Sequence, residues 1–180
     1  MKKLLYVLLW AVLYFVAFLA ADCLGFLHPF LYLYSALAAA ILCAWPYVKL
    51  NQKHPVTGMA IIPVALMVFL FAAIGEAKMD FVAIALLIGL VAEAVRHLAG
   101  PYDNPRSIRA SYPVVSLIPF SAVLFLWTAP GHMYPETMQE MGKAYADKMQ
   151  PLYNIGLEIG MIVLTIIIAY VCCYLLTKKK

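Results

Sequence analysis

The chain is 180 residues long, 66% hydrophobic and only 12% charged, with a mean hydropathy of +0.90. Too few polar side chains remain to cover a soluble globule, so the solvent that fits is a bilayer. The formal net charge of +4 is not a nucleic-acid signature, because most of the basic residues stand in short clusters flanking apolar runs.

The first apolar run, Leu4 to Ala21, follows the basic pair Lys2 and Lys3 in the manner of a signal peptide, and LAADC at 19–23 comes near a lipoprotein cleavage box. Asp22 spoils that box, and the run is long enough to span, so it is read as a retained first helix. Further runs of spanning length follow at 30–48, 58–75, 79–98, 108–129 and 152–177, each bounded by Pro, Gly or charge. Runs this continuous lack the alternation of barrel strands. The expected fold is therefore all-α, one transmembrane domain over residues 1–180 forming an integral membrane bundle of six helices. The third and fourth runs are separated only by Gly75, Glu76, Ala77 and Lys78, which predicts a tight hairpin. Pro63, Pro113 and Pro119 lie within runs, where the missing backbone donor predicts kinks.

Cationic residues orient the bundle. With the N-terminus inside, the inner segments hold Lys2, Lys3, Lys49, Lys53, Arg96, Arg106, Arg109, Lys178, Lys179 and Lys180, ten of the thirteen Lys and Arg. The outer segments hold Lys78, Lys143 and Lys148. Both termini are thus expected in the cytoplasm. The one long connection, 130–151, falls outside. Met138, Met141, Tyr145 and Met149 recur there at helical spacing, predicting an amphipathic helix that is either a lid over a cavity or an interfacial anchor.

Small residues that let helices approach in lipid recur as Ala36, Ala40 and Ala44, as Gly156 and Gly160, and as Ala17 and Ala21; such stripes serve internal packing or partner docking. Cys23, Cys43, Cys172 and Cys173 show no CxxC spacing and read as packing residues, so neither a disulfide framework nor a metal site is expected.

Ionisable groups kept in a membrane are candidates for function. Glu158, between Gly156 and Gly160, is placed to line an outward cavity or to bond a neighbouring helix. Glu93, one turn before His97 and close to Arg96, predicts an interfacial ion pair; these three also form the only candidate for an inner-face enzyme site. There is no HExxH, nucleophile elbow or phosphate-cradling loop, so no catalytic residue is assigned. The outer ends gather Asp22, His28, Tyr32, Tyr34, Glu76, Trp127, His132, Tyr134, Tyr145, Tyr153 and Glu158, either as an interfacial aromatic belt or as the lining of a small-molecule site. A structural or accessory subunit without a small ligand is the third reading.

The length, the six spans with both ends inside, the Ala-rich second helix after GFLHPFLYLYSALAAAI, and the fifth-to-sixth connection with Tyr134, Met141, Tyr145 and Ala146 resemble the S components of energy-coupling-factor transporters, in particular the Trep_Strep-type branch. The resemblance covers nearly the whole chain. It implies a subunit that captures a vitamin, cofactor or similar micronutrient from outside, while a transmembrane coupling subunit and two cytoplasmic ATPases supply energy. It implies no enzyme activity and no intrinsic cofactor in the chain itself. A porphyrin-like substrate such as haem would suit the Tyr, Trp, Met and His lining. The substrate-binding set is Asp22, His28, Trp127, His132, Tyr134, Tyr145 and Glu158. The docking set is Ala36, Ala40, Ala44, Gly156, Gly160, Ala17 and Ala21, of which Ala17 and Ala21 lie nearer the outer end than the family's docking motif.

Overall fold

The computed structural model describes residues 2–75, 79–123, 130–152 and 154–178, and every regular element among them is helical. In chain order these are α1 (Lys2–Asp22), a 3-10 turn (Cys23–Phe26), α2 (Pro29–Leu42), α3 (Ala44–Lys53), α4 (Ile62–Ala73), α5 (Met79–Leu98) and α6 (Pro105–Val115). They continue with α7 (Pro119–Val123), α8 (Pro130–Met141), α9 (Lys143–Met149), a second 3-10 turn (Gln150–Leu152) and α10 (Ile155–Thr177). Three stretches are long and apolar enough to cross a membrane: Lys3–Phe26, Phe81–Leu98 and Ile155–Thr177.

The remaining runs are cut into shorter helices, and proline chemistry explains where. The run 30–48 divides at Cys43 because Pro46 has no N–H to offer the Leu42 carbonyl. Cys43 keeps near-helical dihedrals and still bonds Ala39 through its N–H, so the two halves follow one another closely. The run 108–129 divides because Pro119 cannot donate to Val115; Ile118 takes that carbonyl at 3.2 Å in a tighter turn instead. Pro119 therefore opens α7, and Pro63 sits at the start of α4, where the absent donor costs nothing. Neither kinks a helix as the sequence suggests. Of the three prolines expected to kink a helix, Pro113 alone lies inside one, α6, as Pro135 does in α8. The helical part of the run 58–75 is 12 residues, about 18 Å of rise, preceded by a turn at 58–61. The 76–78 connection, including Glu76, lies outside the described residues.

The core runs through the middle of the bundle. α1 packs on α2, α3 and α4; α10 packs on α2, α3 and α6; α5 packs on α4 and α6. On α10 the buried residues Glu158, Met161, Thr165, Ala169, Cys173 and Thr177 form a stripe at helical spacing, while Ile159, Val163, Ile167 and Val171 are exposed. An exposed apolar face of that length suits lipid rather than water. Phe71 of α4 holds three edge-on ring contacts, with Phe15 and Phe18 of α1 and Phe81 of α5. Ala36, Ala40 and Ala44, offered by the sequence for internal packing or docking, are buried against other helices of the same chain, as is Ala21. Ala17 packs half-buried on the same core. Gly156 and Gly160 are exposed, and nothing lies within 4 Å of a Cβ built on Gly160.

Candidate functional site

The loop between α7 and α10 folds into a cap. The sequence reads it as a single amphipathic helix, but Gly142 breaks it into α8 and α9 with φ +85° and ψ 162°, backbone open to glycine alone. Met138 on α8 is exposed, whereas Ala146 and Met149 on α9 are buried against the bundle. Two tethers hold the cap. The Tyr145 hydroxyl donates to the Gly25 carbonyl in the turn after α1, 120 positions away in sequence. The Tyr134 hydroxyl donates to Asp147 Oδ1 at 2.6 Å, and Lys143 Nζ donates to Asp147 Oδ2 at 2.7 Å, so Asp147 clamps α8 to α9. The Lys143 ammonium, seconded by Tyr134, holds the Asp147 carboxyl below the ordinary carboxylate range, and Asp147 in turn raises Lys143. Partial burial raises the Tyr145 phenol, which keeps it a donor. Gly25 is buried, and a Cβ there would meet Tyr32 Cδ2 at 2.8 Å, so the tether requires glycine at its acceptor.

From the cap the chain passes through Asn154, whose Oδ1 accepts from Gly156 N and Leu157 N at 2.8 and 3.2 Å and starts α10. Glu158 follows one turn later. It is 3% exposed, and among the described residues its carboxyl has no hydrogen-bond or ion-pair partner. One turn further Met161 packs with Ala36 of α2 and Phe120 of α7, giving the carboxyl an apolar floor. Thr165, two turns along the same face, is fully buried with its hydroxyl unpartnered. The Glu158 oxygens are not among the wholly enclosed unpartnered atoms, so a narrow opening leaves them able to meet a proton, water or a ligand's donor group at this end of the bundle.

The other predicted residues are placed less tightly. Asp22 is half-buried at the end of α1, three residues before Gly25. His28 is exposed and caps α2, its Nδ1 accepting from Phe30 N at 3.1 Å. Trp127 and Tyr153 lie outside the described residues, as does the side chain of His132 on α8.

At the opposite end the expected Glu93–Arg96 ion pair is absent. Glu93 turns to the start of α4, accepting from Gly58 N at 2.9 Å and Ala60 N at 3.0 Å. Both amides are donors fixed in the turn that leads into α4, and they hold the carboxylate there. Arg96 is fully buried and bonds the Tyr102 carbonyl, while His97 is exposed, so the three side chains do not converge. Among the described residues no cluster of His, Cys, Asp or Glu could hold a metal. All four cysteines are free, with Cys43 and Cys173 buried as packing residues.

The family model described as hypothetical bacterial integral membrane protein (Trep_Strep) matches residues 1–179. The chain belongs to the Trep_Strep family. It is therefore a bacterial integral membrane protein, in agreement with its three spanning-length helices. Neither a curated protein nor a solved structure matches it.

In this Trep_Strep protein the residues that sequence reasoning missed are the interior polar ties. Tyr112 donates to the Ala40 carbonyl at 2.7 Å, joining α6 to α2, and Tyr47 meets Ser111 at 2.8 Å, joining α3 to α6. The signal was present as polar pairs at helical spacing, Tyr47 with Asn51 and Ser107 with Ser111, which place hydroxyls and an amide on one buried face of each helix.

Proposed function

We propose that this chain is the substrate-binding subunit of an energy-coupling-factor importer, capturing a small organic micronutrient from outside. The observation that supports this reading best is the unpartnered Glu158 carboxyl, buried at the end of the bundle where the α8–α9 cap enters α10. A rigid bundle, a tethered cap and a desolvated polar group among apolar walls are what a small-ligand site requires. In this reading six crossings place both termini in the cytoplasm, with α2 plus α3 and α6 plus α7 each counting as one. The cap then faces outward, with Tyr134, Tyr145 and Glu158 as the described residues assigned to ligand contact, and haem as one member of the substrate class. The chain is no enzyme: a coupling subunit and two ATPases supply the energy. The exposed Gly156 and Gly160 face is the free small-residue surface for the coupling subunit.

The test is purification of the tagged full chain from its native host, with mass spectrometry of co-purified small molecules and proteins. The expected result is a bound organic molecule in the wild type that Glu158→Gln releases, together with an ATPase pair and one further membrane subunit. Repeatedly empty preparations without those partners refute the reading. An absorbance band near 400 nm in the wild type would identify a haem-class ligand, on the order of the Soret position expected of a protein-bound porphyrin.

A further inference from the structure

Arg96 sits two residues before the end of α5, at the end of the spanning stretch Phe81–Leu98, and is fully buried. A charged guanidinium is retained in such a place only with a counter-charge or a full set of acceptors. Among the described residues the Glu93 carboxylate lies within electrostatic reach but forms no ion pair with it, and the set of acceptors is incomplete. Nη2 reaches the Tyr102 carbonyl at 3.3 Å and the Tyr102 ring lies 4.7 Å from Cζ, but Nε and Nη1 are buried without partners. The carboxylate nearest in sequence, Glu93, is held by the Gly58 and Ala60 amides. Asp103 is exposed on the connecting turn and forms no ion pair with Arg96. From α3 the Tyr47 phenol lies within electrostatic reach of both Arg96 and Glu93, and its hydroxyl is engaged with Ser111. Asn51, one turn after Tyr47, is fully buried and also leaves its Oδ1 unpartnered.

We propose that the Arg96 guanidinium, closed over by Tyr102 and the turn between α5 and α6, is a binding site for a phosphate group, supplied at this depth by an anionic lipid headgroup. Three features select that chemistry. What Arg96 lacks is acceptors in direct contact, and a phosphate oxygen offers them to Nε and Nη1 together with a negative charge. The guanidinium stands at the end of a membrane-spanning stretch, where headgroup phosphates lie. The Tyr102 ring over the guanidinium belongs to a turn whose Pro101 and Asp103 are exposed, and movement of that turn is the route by which a phosphate would reach Arg96. The proposal does not depend on the import reading, since it concerns the far end of α5 from the cap.

The full-length protein would be reconstituted in nanodiscs of phosphatidylcholine with or without phosphatidylglycerol, and separately held in detergent with or without inorganic phosphate. Unfolding midpoints and lipid adducts in native mass spectrometry are the readouts. Phosphatidylglycerol is expected to raise the wild-type midpoint and to survive as an adduct. Arg96→Gln should weaken that retention about tenfold, the loss of one charge-assisted contact set, and Arg96→Lys should restore part of it. A shift by inorganic phosphate that also requires Arg96 supports the same site with a soluble phosphate as its source. Equal adducts on wild type and Arg96→Gln, or no shift with either probe, overturn it. If Arg96→Gln fails to fold, Tyr102→Ala decides: uncovering the guanidinium should increase lipid retention, and an unchanged adduct refutes the site.

Discussion

Replacing Glu93 by alanine should be among the most destabilising single changes in this protein. The carboxylate accepts two backbone N–H groups, Gly58 at 2.9 Å and Ala60 at 3.0 Å, at the entry to α4. A hydrogen bond to a charged group contributes about 1.5–3 kcal/mol, and a buried amide left without an acceptor costs about 1–3 kcal/mol. The expected loss for Glu93→Ala is therefore about 3–5 kcal/mol. Glu93→Gln keeps one acceptor but turns an NH2 group toward the other amide, for about 2–3 kcal/mol. For a chain of this size that corresponds to a fall in Tm on the order of 10 °C for Ala and about half that for Gln. With the exposed Cys23 and half-buried Cys172 replaced by Ser in every variant, the buried Cys43 and Cys173 let a thiol-reactive fluorophore in detergent report the unfolding. Glu93→Ala within about 2 °C of wild type would show that the α4 entry does not depend on this carboxylate. The same series separates a structural Glu93 from an inner-face catalytic one, because a structural role makes Gln intermediate in stability rather than silent in stability and dead in activity.

Three further outcomes follow from the same geometry. Tyr112→Phe removes the α6–α2 bond to Ala40 and should cost about 0.5–1.5 kcal/mol, read in the same unfolding assay. Gly142→Ala places a side chain at φ +85° and should cost the cap about 1–3 kcal/mol; hydrogen exchange at 143–149 should rise while the global midpoint holds, and Asn should not rescue it. The clamp at Asp147 should respond to pH at both extremes. Asp147 is depressed in the folded cap, so its contribution is present above the ordinary carboxylate value and lost as pH falls below it; Lys143 is raised, so its contribution is present below the ordinary lysine value and lost as pH climbs beyond it. Cap protection should then be flat from roughly pH 5 to 9 and fall outside that window, and Asp147→Asn should abolish the acid limb.

Composition and apolar run length alone established a helical membrane protein, because backbone groups in lipid must be satisfied within each segment and hydropathy reports where those segments are. Helix subdivision was legible only in retrospect: Pro46 and Pro119 end runs that hydropathy joins, because hydropathy is blind to a missing N–H. The cap's position was readable as the one long connection, but its break was not, since a periodicity of Met and Tyr continues across Gly142 whatever the glycine's backbone does. Small residues were correctly expected at close helix contacts, yet spacing cannot tell an inner contact from an outer one, and burial places Ala36, Ala40 and Ala44 inside. Glu93 and Arg96 were one turn apart and of opposite charge, so the sequence suggests a pair; only the tertiary structure brings the Gly58 and Ala60 amides, 35 and 33 positions distant, to claim the carboxylate and strand the guanidinium. Pairing is decided by which donors the fold fixes in place, and that is a property of three dimensions.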